Sequence, residues 1–150
     1  MSALKGKSAV VTGGSRGIGR AVVERPARDG AEVLFGYVRD QAAAEAVVAA
    51  VEAAGGRARA VRVDLGEPGA AESFMTTADE HLGGLDILVN NAATGTASTP
   101  IAELTEQDFD HVLSVNTKAP FLTIRYAARH MRDGGRIINI STLHTNGGLG

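Results

Sequence analysis

The stretch that most constrains the fold runs from Val10 to Gly19, where an apolar segment leads into a loop rich in glycine. A segment compatible with a helix follows at residues 20–25, so the local order is strand, tight turn and helix. Gly13 permits a backbone conformation that a Cβ would oppose. Gly17 lets the main chain approach a bound phosphate closely, and Gly19 lets the helix pack tightly on the strand.

The start of that helix presents unpaired N–H groups and the positive end of the helix dipole, which suits an anion. A glycine-rich turn without any ligand is the alternative interpretation. The spacing G-x-x-x-G-x-G after Thr12 is a more specific pattern than the general dinucleotide fingerprint. It therefore favours a loop that holds the phosphates of a nucleotide.

The composition excludes several classes of protein. At 150 residues, with 21% charged and 44% hydrophobic residues, the chain can bury the core of one globular domain. A net charge of −2 gives no support for nucleic-acid binding, and the lack of cysteine excludes disulfides, thiolate metal sites and thiol catalysis. The histidines lack the spacing of metal ligands, so no metal site is predicted.

Membrane insertion is not expected either. No apolar run approaches the roughly 20 residues that span a bilayer. The apolar stretch after Lys5 and Lys7 stops at Thr12, which is typical of a first strand and not of a signal peptide. A cytoplasmic location is the resulting expectation.

Strand-like and helix-like segments alternate along the chain. The predicted strands are 9–11, 32–37, 57–63, 85–89 and 136–140. The predicted helices are 18–28, 41–54, one opened by Pro68 and ending near Leu82, and a long helical region from Thr105 to His130 interrupted around Asn116 and Pro120. Pro26 lies inside the first helix and predicts a kink or an irregular last turn.

This alternation, with strands apolar on both faces, predicts an α/β fold. We expect a doubly wound, Rossmann-type parallel sheet with strand order 3-2-1-4-5, helices on both faces, and one dinucleotide-binding domain over residues 1–150. A ligand would bind at the carboxyl ends of the strands. The loops expected there are 12–19, 37–40, 64–65, 90–93 and 141–142.

Five motifs, in this order and at compatible spacing, resemble the short-chain dehydrogenase/reductase family. They are residues 12–19, Asp64, residues 85–92, residues 114–116 and residues 135–141. The resemblance covers the whole chain and implies an oxidoreductase that transfers a hydride between a nicotinamide and a ketone or secondary alcohol. It also implies a homo-oligomer, a dimer or tetramer, because the family pairs subunits through the long helical region.

The resemblance implies roles for the matching residues. The glycine loop would hold the pyrophosphate and the adenosine ribose, Asp64 and Leu65 would line the adenine pocket, and Asn91 and Ala92 would contact a ribose. Asn116 resembles the active-site asparagine that distorts its helix and positions a water in a proton relay. Tyr37 and Arg39, at the end of the second strand, are added to these residues for the reason given in the next paragraph. The expected cofactor-binding residues are therefore Gly13, Ser15, Arg16, Gly17, Ile18, Gly19, Tyr37, Arg39, Asp64, Leu65, Asn91, Ala92 and Ala93.

The end of the second strand indicates which cofactor is used. Enzymes of this fold that prefer NAD usually have a carboxylate there, which binds the ribose hydroxyls. This chain has Tyr37, with Arg39 two residues later and Arg16 in the glycine loop. Two guanidinium groups suit a 2′-phosphate, so NADP is the predicted cofactor, although Asp40 is a nearby carboxylate that opposes it.

Three features depart from the family pattern. Ala93 replaces the glycine of Asn-Asn-Ala-Gly, and Thr142, preceded by Ser141, stands where the catalytic serine is expected. Neither Tyr37 nor Tyr126 is followed by a lysine four residues later, so the Tyr-x-x-x-Lys pair is not in this sequence. We therefore expect a truncated domain without the family's C-terminal strands, inactive alone, with Asn116, Ser141 and Thr142 as its candidate catalytic residues. A non-catalytic dinucleotide-binding module is the alternative.

Overall fold

The structure, a computed structural model, describes residues 2–96 and 98–141. Its centre is a parallel sheet of five strands in the order β3-β2-β1-β4-β5, which confirms the predicted topology. The strands are β1 Ser8–Val11, β2 Glu32–Tyr37, β3 Arg57–Arg62, β4 Leu85–Asn90 and β5 Met131–Asn139. The first four lie within one residue of their predicted bounds, because each is a short apolar or alternating run closed by turn residues.

Helices connect these strands and cover both faces of the sheet. They are α1 Gly17–Arg28, α2 Gln41–Ala53, α3 Ala70–Leu82, α4 Glu106–Leu113 and α5 Ala119–His130, with a 3₁₀ turn at Ile101–Glu103 and a π-helical turn at Ser114–Lys118. Thr105 opens α4 with a capping box, in which its side chain and that of Asp108 each bond the other's backbone N–H. Pro26 leaves α1 unbroken, since Asp29 N still donates to Arg25 O at the end of that helix.

Two apolar layers result from the alternation of side chains along the strands. Val11, Phe35 and Val89 face α1 and α2, and they belong to one buried cluster with residues of those helices. Val10, Leu34 and Leu88 face the opposite way and belong to a second cluster with residues of α3 and α5. We call these the α1/α2 face and the α3/α5 face.

Two predicted boundaries were wrong. Helix α3 begins at Ala70 and not at Pro68, because Gly69 adopts a φ of +76°, which is outside helical geometry.

Strand β5 begins at Met131 and not at residue 136. Met131 pairs with Leu85 and Arg136 with Ile87, so residues between them form an irregularity in the pairing where a helix stop was expected. Pro120 does not interrupt the helix, since it lies in the first turn of α5.

A buried carboxylate joins three strands near their amino ends, away from the carboxyl ends where a ligand is expected. Asp86 in β4 is 4% exposed and accepts from Ser8 N at 2.9 Å, from Lys7 Nζ at 3.2 Å and from Arg132 Nη1 at 2.6 Å. Burial raises the pKa of Asp86, but the bonds from Ser8, Lys7 and Arg132 more than offset that effect and leave this pKa below its usual value. The ionised carboxylate therefore ties β1, β4 and β5 together.

Candidate functional site

The loops predicted to bind a ligand meet at the carboxyl edge of the sheet, because all five strands are parallel. The chain reaches that edge at residues 12–16 after β1, at 38–40 after β2, at 63–69 after β3 and at 91–96 after β4. Beside β1, which is the centre of the strand order, the chain leaves to opposite sides, toward β2 and toward β4. That switch point is where doubly wound sheets bind their ligands.

The glycines of the first loop each meet a different physical requirement. Gly13 has a φ of +70° and Gly17 a φ of +56°, conformations that residues with a Cβ rarely adopt. A Cβ at Gly19 would overlap the carbonyl oxygen of Gly13, so the start of α1 packs directly on the end of β1. A Cβ at Gly17 would have no heavy atom within 4 Å, which leaves open space above the helix start.

The N-terminus of α1 is available to an anion in the described part of the chain. Arg16 precedes the helix in an extended conformation, and no side chain caps the first turn. Arg16 is exposed, Ile18 is 65% exposed and Ser15 is half-buried. The N–H groups of the first turn therefore have no side-chain cap, and the space next to Gly17 is open.

Thr12 joins two loops of the candidate site, although it is not among the predicted site residues. It is 2% exposed, and its Oγ1 accepts from Asn91 N and from Ala92 N, each at 2.9 Å. One hydroxyl therefore fixes the loop after β4 against the loop after β1. Its position directly before the first glycine was the available signal, and only the pairing of β1 with β4 shows what that hydroxyl contacts.

Asn91 strengthens the same junction from the other side. Its Nδ2 donates to Gly13 O at 2.9 Å and to Thr12 O at 3.3 Å, so this amide nitrogen is engaged by the glycine loop. Ala92 lies against Gly13, where an added Cβ would be 3.0 Å from Ala92 Cα. Ala93 is exposed and is not among the described residues with positive φ, so its methyl group is accommodated without backbone strain.

The loop after β2 carries Tyr37, which is half-buried, and Arg39, which is exposed. Among the described residues, neither Arg16 nor Arg39 has a carboxylate partner within ion-pair distance. Asp40, the acid that opposed an NADP interpretation, accepts from Ala43 N at 2.9 Å and caps α2. One of its two carboxylate oxygens is thereby engaged by the helix start.

The loop after β3 places the residues predicted for the adenine pocket. Asp64 is half-buried, and its Oδ1 accepts from Gly66 N at 2.9 Å, which closes a tight turn. Leu65 is 9% exposed and belongs to the cluster on the α3/α5 face. The turn is therefore fixed by a side chain whose second carboxylate oxygen has no hydrogen-bond partner among the described residues.

Asn116 lies in the π-helical turn between α4 and α5, so the helix is distorted at the predicted residue. Its side chain clamps the loop after β4, with Oδ1 accepting from Thr94 N at 2.8 Å and Nδ2 donating to Thr94 O at 2.8 Å. Both polar ends of the amide are used in this clamp. A water molecule at Asn116 would therefore bind its main-chain atoms, or compete with Thr94 for its side-chain amide.

Asn90 joins β4, β5 and α5. Its Nδ2 donates to Asn139 Oδ1 at 2.9 Å, and its Oδ1 accepts from Thr123 Oγ1 at 2.6 Å. Ile140 N donates to Asn90 O at 2.9 Å, which carries the chain toward Ser141. Ser141 is exposed beyond the end of β5, and Thr142 lies outside the described residues.

The described part of the chain offers neither a metal cluster nor a membrane span. Within residues 2–96 and 98–141, no group of three or more histidine, aspartate or glutamate side chains is arranged to hold a metal ion. None of the described helices is long and apolar enough to cross a membrane.

Known proteins are similar to this chain in sequence and in fold. The sequence profile of the family described as short chain dehydrogenase matches residues 7–149. An uncharacterized oxidoreductase of Methylorubrum extorquens is 42% identical, over 97% of this chain and 58% of that protein. Versicolorin reductase 1 of Aspergillus parasiticus is 41% identical, over 93% of this chain and 53% of that protein.

A solved structure of a short chain dehydrogenase from Burkholderia cenocepacia, in complex with NADP, superimposes with a TM-score of 0.89 at 44% identity. The match covers 93% of this chain and 57% of that one. The chain thus spans between 53% and 58% of the lengths of these three proteins. On the profile match, the sequence identities and the structural superposition, the chain belongs to the short-chain dehydrogenase family.

Proposed function

We propose that this chain is a single dinucleotide-binding domain that binds NADP(H) and serves an oxidoreductase acting on a ketone or secondary alcohol. The observation that carries the proposal is the uncapped start of α1 above the open space at Gly17, with two arginines on the flanking loops that have no ion-pair partner among the described residues. Bound NADPH would supply a hydride to the carbonyl carbon.

The glycine loop fits a pyrophosphate. The positive φ of Gly13 and Gly17 turns the chain so that main-chain N–H groups lead into the first turn of α1. The absence of side chains at these positions allows close approach, and the helix dipole favours the negative charge. Ser15, Ile18 and Gly19 complete this cradle, with Gly19 holding the helix against the end of β1.

The charges near β2 favour NADP over NAD. Arg16 and Arg39 can both donate to a 2′-phosphate, and guanidinium groups pair with phosphate oxygens in two-point geometry. Asp40 is a nearby carboxylate that opposes this preference, but one negative charge faces two guanidinium groups, and its Oδ1 is engaged by Ala43 N at the start of α2. The Burkholderia relative, which is complexed with NADP, supports the same cofactor.

The remaining contacts follow from position at the same edge. Asp64 would accept from the exocyclic amine of adenine through its second carboxylate oxygen, Tyr37 would offer apolar surface, and the buried Leu65 would support the turn that carries Asp64. Asn91, Ala92 and Ala93 would line the ribose on the nicotinamide side. The clamp of Thr94 by Asn116 supports that loop from behind.

For catalysis we propose Asn116 as a positioning residue and Ser141 or Thr142 as the hydroxyl that polarises the substrate carbonyl. The proton for the product alcohol needs a general acid, and no tyrosine in these 150 residues is followed by lysine four positions later. Thr142, where the family pattern has a serine, fits a second candidate function, a domain that binds the dinucleotide without catalysing. Because both candidates predict no turnover by these 150 residues alone, they are separated by whether the full-length protein that contains this domain reduces ketones with NADPH.

We further propose that the protein is a cytoplasmic homo-oligomer, either a dimer or a tetramer. Phe109 is 61% exposed, Leu113 43% and Phe121 58%, all on the helical region from α4 to α5. Large exposed apolar side chains close together mark association surfaces.

Calorimetric titration with NADPH and NADH tests the cofactor proposal. We expect NADPH to bind at least tenfold more tightly, and Arg39→Ala to remove most of that preference. Arg57→Ala is the matched control, since Arg57 is an exposed arginine at the amino end of β3, on the far edge of the sheet. Equal affinities for the two dinucleotides, or a preference for NADH that survives Arg39→Ala, would refute the proposal.

A further inference from the structure

Arg62 is the last residue of β3 and lies at the carboxyl edge of the sheet, although the motifs in the sequence do not point to it. It pairs in register with Tyr37, the last residue of β2. Val63 N donates to Tyr37 O at 2.8 Å, so the two strands stay bonded up to the point where both loops begin. Arg62 therefore starts beside the loop that carries Arg39.

The alternation of side chains in β3 places Arg62 on the same face as the glycine loop. Ala58 and Ala60 belong to the α1/α2 face, whereas Val61 and Val63 belong to the α3/α5 face. Arg62 thus shares the face of Ala60, and Tyr37 packs on that face as well.

Gly14 confirms which face the glycine loop lies on. A Cβ at Gly14 would come within 2.7 Å of the ring of Phe35, which belongs to the α1/α2 face. Arg59 has the opposite parity, and its Nη1 lies 2.9 Å from Nδ1 of His81 in α3. Two exposed arginines of one strand therefore project to opposite faces of the sheet.

The guanidinium of Arg62 is anchored at one nitrogen only, within the described part of the chain. Its Nε donates to Val38 O at 3.1 Å, which ties down the loop residue that precedes Arg39. Among the described residues, its two Nη atoms make no hydrogen bond, and Arg62 has no carboxylate within ion-pair distance. Four N–H donors therefore remain for a group bound beside this loop.

We propose that Arg62 is a specificity-determining residue for the 2′-phosphate of NADP(H), a third cation beside Arg16 and Arg39. The inference rests on the proposed function. Through Nε, Arg62 holds the backbone from which Arg39 projects. Through its Nη groups it adds donors and positive charge on the α1/α2 side of the same loop. The nearby acid Asp40 makes no ion pair with Arg62 among the described residues, and its Oδ1 accepts from Ala43 N.

The test compares ligands that differ by the 2′-phosphate alone. NADPH against NADH, and 2′,5′-ADP against 5′-AMP, are titrated into the wild type, Arg62→Ala, Arg62→Gln and Arg59→Ala. Arg62→Gln keeps an amide that can donate to Val38 O but removes the charge. Arg59→Ala removes an exposed arginine from the same strand on the opposite face.

We expect Arg62→Ala and Arg62→Gln to weaken NADPH and 2′,5′-ADP roughly tenfold, which is the size of one charge-assisted hydrogen bond. NADH and 5′-AMP should change less than about twofold, and Arg59→Ala should change neither pair.

Three results would overturn the inference. Equal loss for both members of each ligand pair would show a merely structural role, and no loss in either Arg62 variant would show that the residue does not meet the phosphate. Full retention of the NADPH preference in Arg62→Gln would show that the charge is irrelevant. If instead the wild type itself shows no preference for NADPH, the proposed cofactor fails, and the inference fails with it.

Discussion

Replacing Asp86 with asparagine removes one negative charge from a site that holds three strands together. Asp86 accepts from Ser8 N, Lys7 Nζ and Arg132 Nη1, and the last of these distances is 2.6 Å. Asparagine has the same shape, but one of its two terminal atoms becomes a donor that faces donors. At least one of these bonds is then lost and a buried N–H is left without an acceptor.

The magnitude follows from the burial of each partner. Removing one member of a buried ion pair costs about 3–5 kcal/mol. Here only the carboxylate is buried, with 5% side-chain exposure, whereas Lys7 retains 52% and Arg132 43%. Water can rehydrate both cations, so we expect the lower end, about 3 kcal/mol lost from the free energy of unfolding. For a chain of this length that corresponds to a decrease in Tm of roughly 6–12 °C.

The dependence on pH gives a second readout. The pKa of Asp86 is lower in the folded protein than in the unfolded chain, where it is about 3.9. Its stabilisation is therefore complete above the unfolded pKa and is lost as the pH falls through the folded pKa. The difference in unfolding free energy between wild type and Asp86→Asn should be constant above about pH 5 and should shrink below about pH 4.

Urea unfolding followed by circular dichroism at several pH values measures both effects. Asp133→Asn is the control, because Asp133 is exposed and makes no ion pair among the described residues. A loss below about 1 kcal/mol in Asp86→Asn, or a difference that persists unchanged in acid, would refute the reasoning.

Three further predictions concern the site and the assembly. Thr12→Val should lower the unfolding free energy by about 2 kcal/mol and weaken NADPH binding, because Asn91 N and Ala92 N lose their acceptor. Thr12→Ser keeps the hydroxyl and should retain both the stability and the NADPH affinity. Equal behaviour of the two variants in calorimetry would contradict this prediction. The 150-residue chain should show no ketone reduction with NADPH, and steady turnover would point to a proton donor outside the Tyr-x-x-x-Lys pattern. Sedimentation should show oligomers that dissociate in Phe121→Ser, and a monodisperse wild-type monomer at high concentration would remove that idea.

The sheet could be predicted because its signals are local. Each of the first four strands is a short run closed by turn residues, and alternation with helices leaves few possible topologies. The start of β5 could not be predicted, since Asp133–Gly135 has the composition of a helix stop and extends only because Met131 pairs with Leu85. Helix α3 starts at Ala70 because Gly69 has a positive φ. The sequence does not indicate which type of turn precedes the helix, and another type would not have required that φ.

The candidate site could be predicted at positions where only one residue type meets the physical requirement. The glycines of the first loop are of that kind, and their backbone angles and close contacts account for them. Side chains that act through long-range contacts were not predictable. The hydroxyl of Thr12 acts on residues 79 and 80 positions away, and the contact of Arg62 with Val38 spans 24 positions. Only the strand order brings these atoms together.

The central place of β1 has a consequence for synthesis on the ribosome. β1 pairs on one side with β2, which follows it closely, and on the other with β4, which begins only at Leu85. At a translation rate of about 5–20 residues per second, this second edge of β1 waits roughly 4–15 s for its partner. All four residues of β1 are buried in the folded protein, so during that interval the nascent chain exposes an unpaired apolar strand. Early binding of the edge by a chaperone, or slow elongation after residue 40, would therefore change the yield of folded protein more than its final stability.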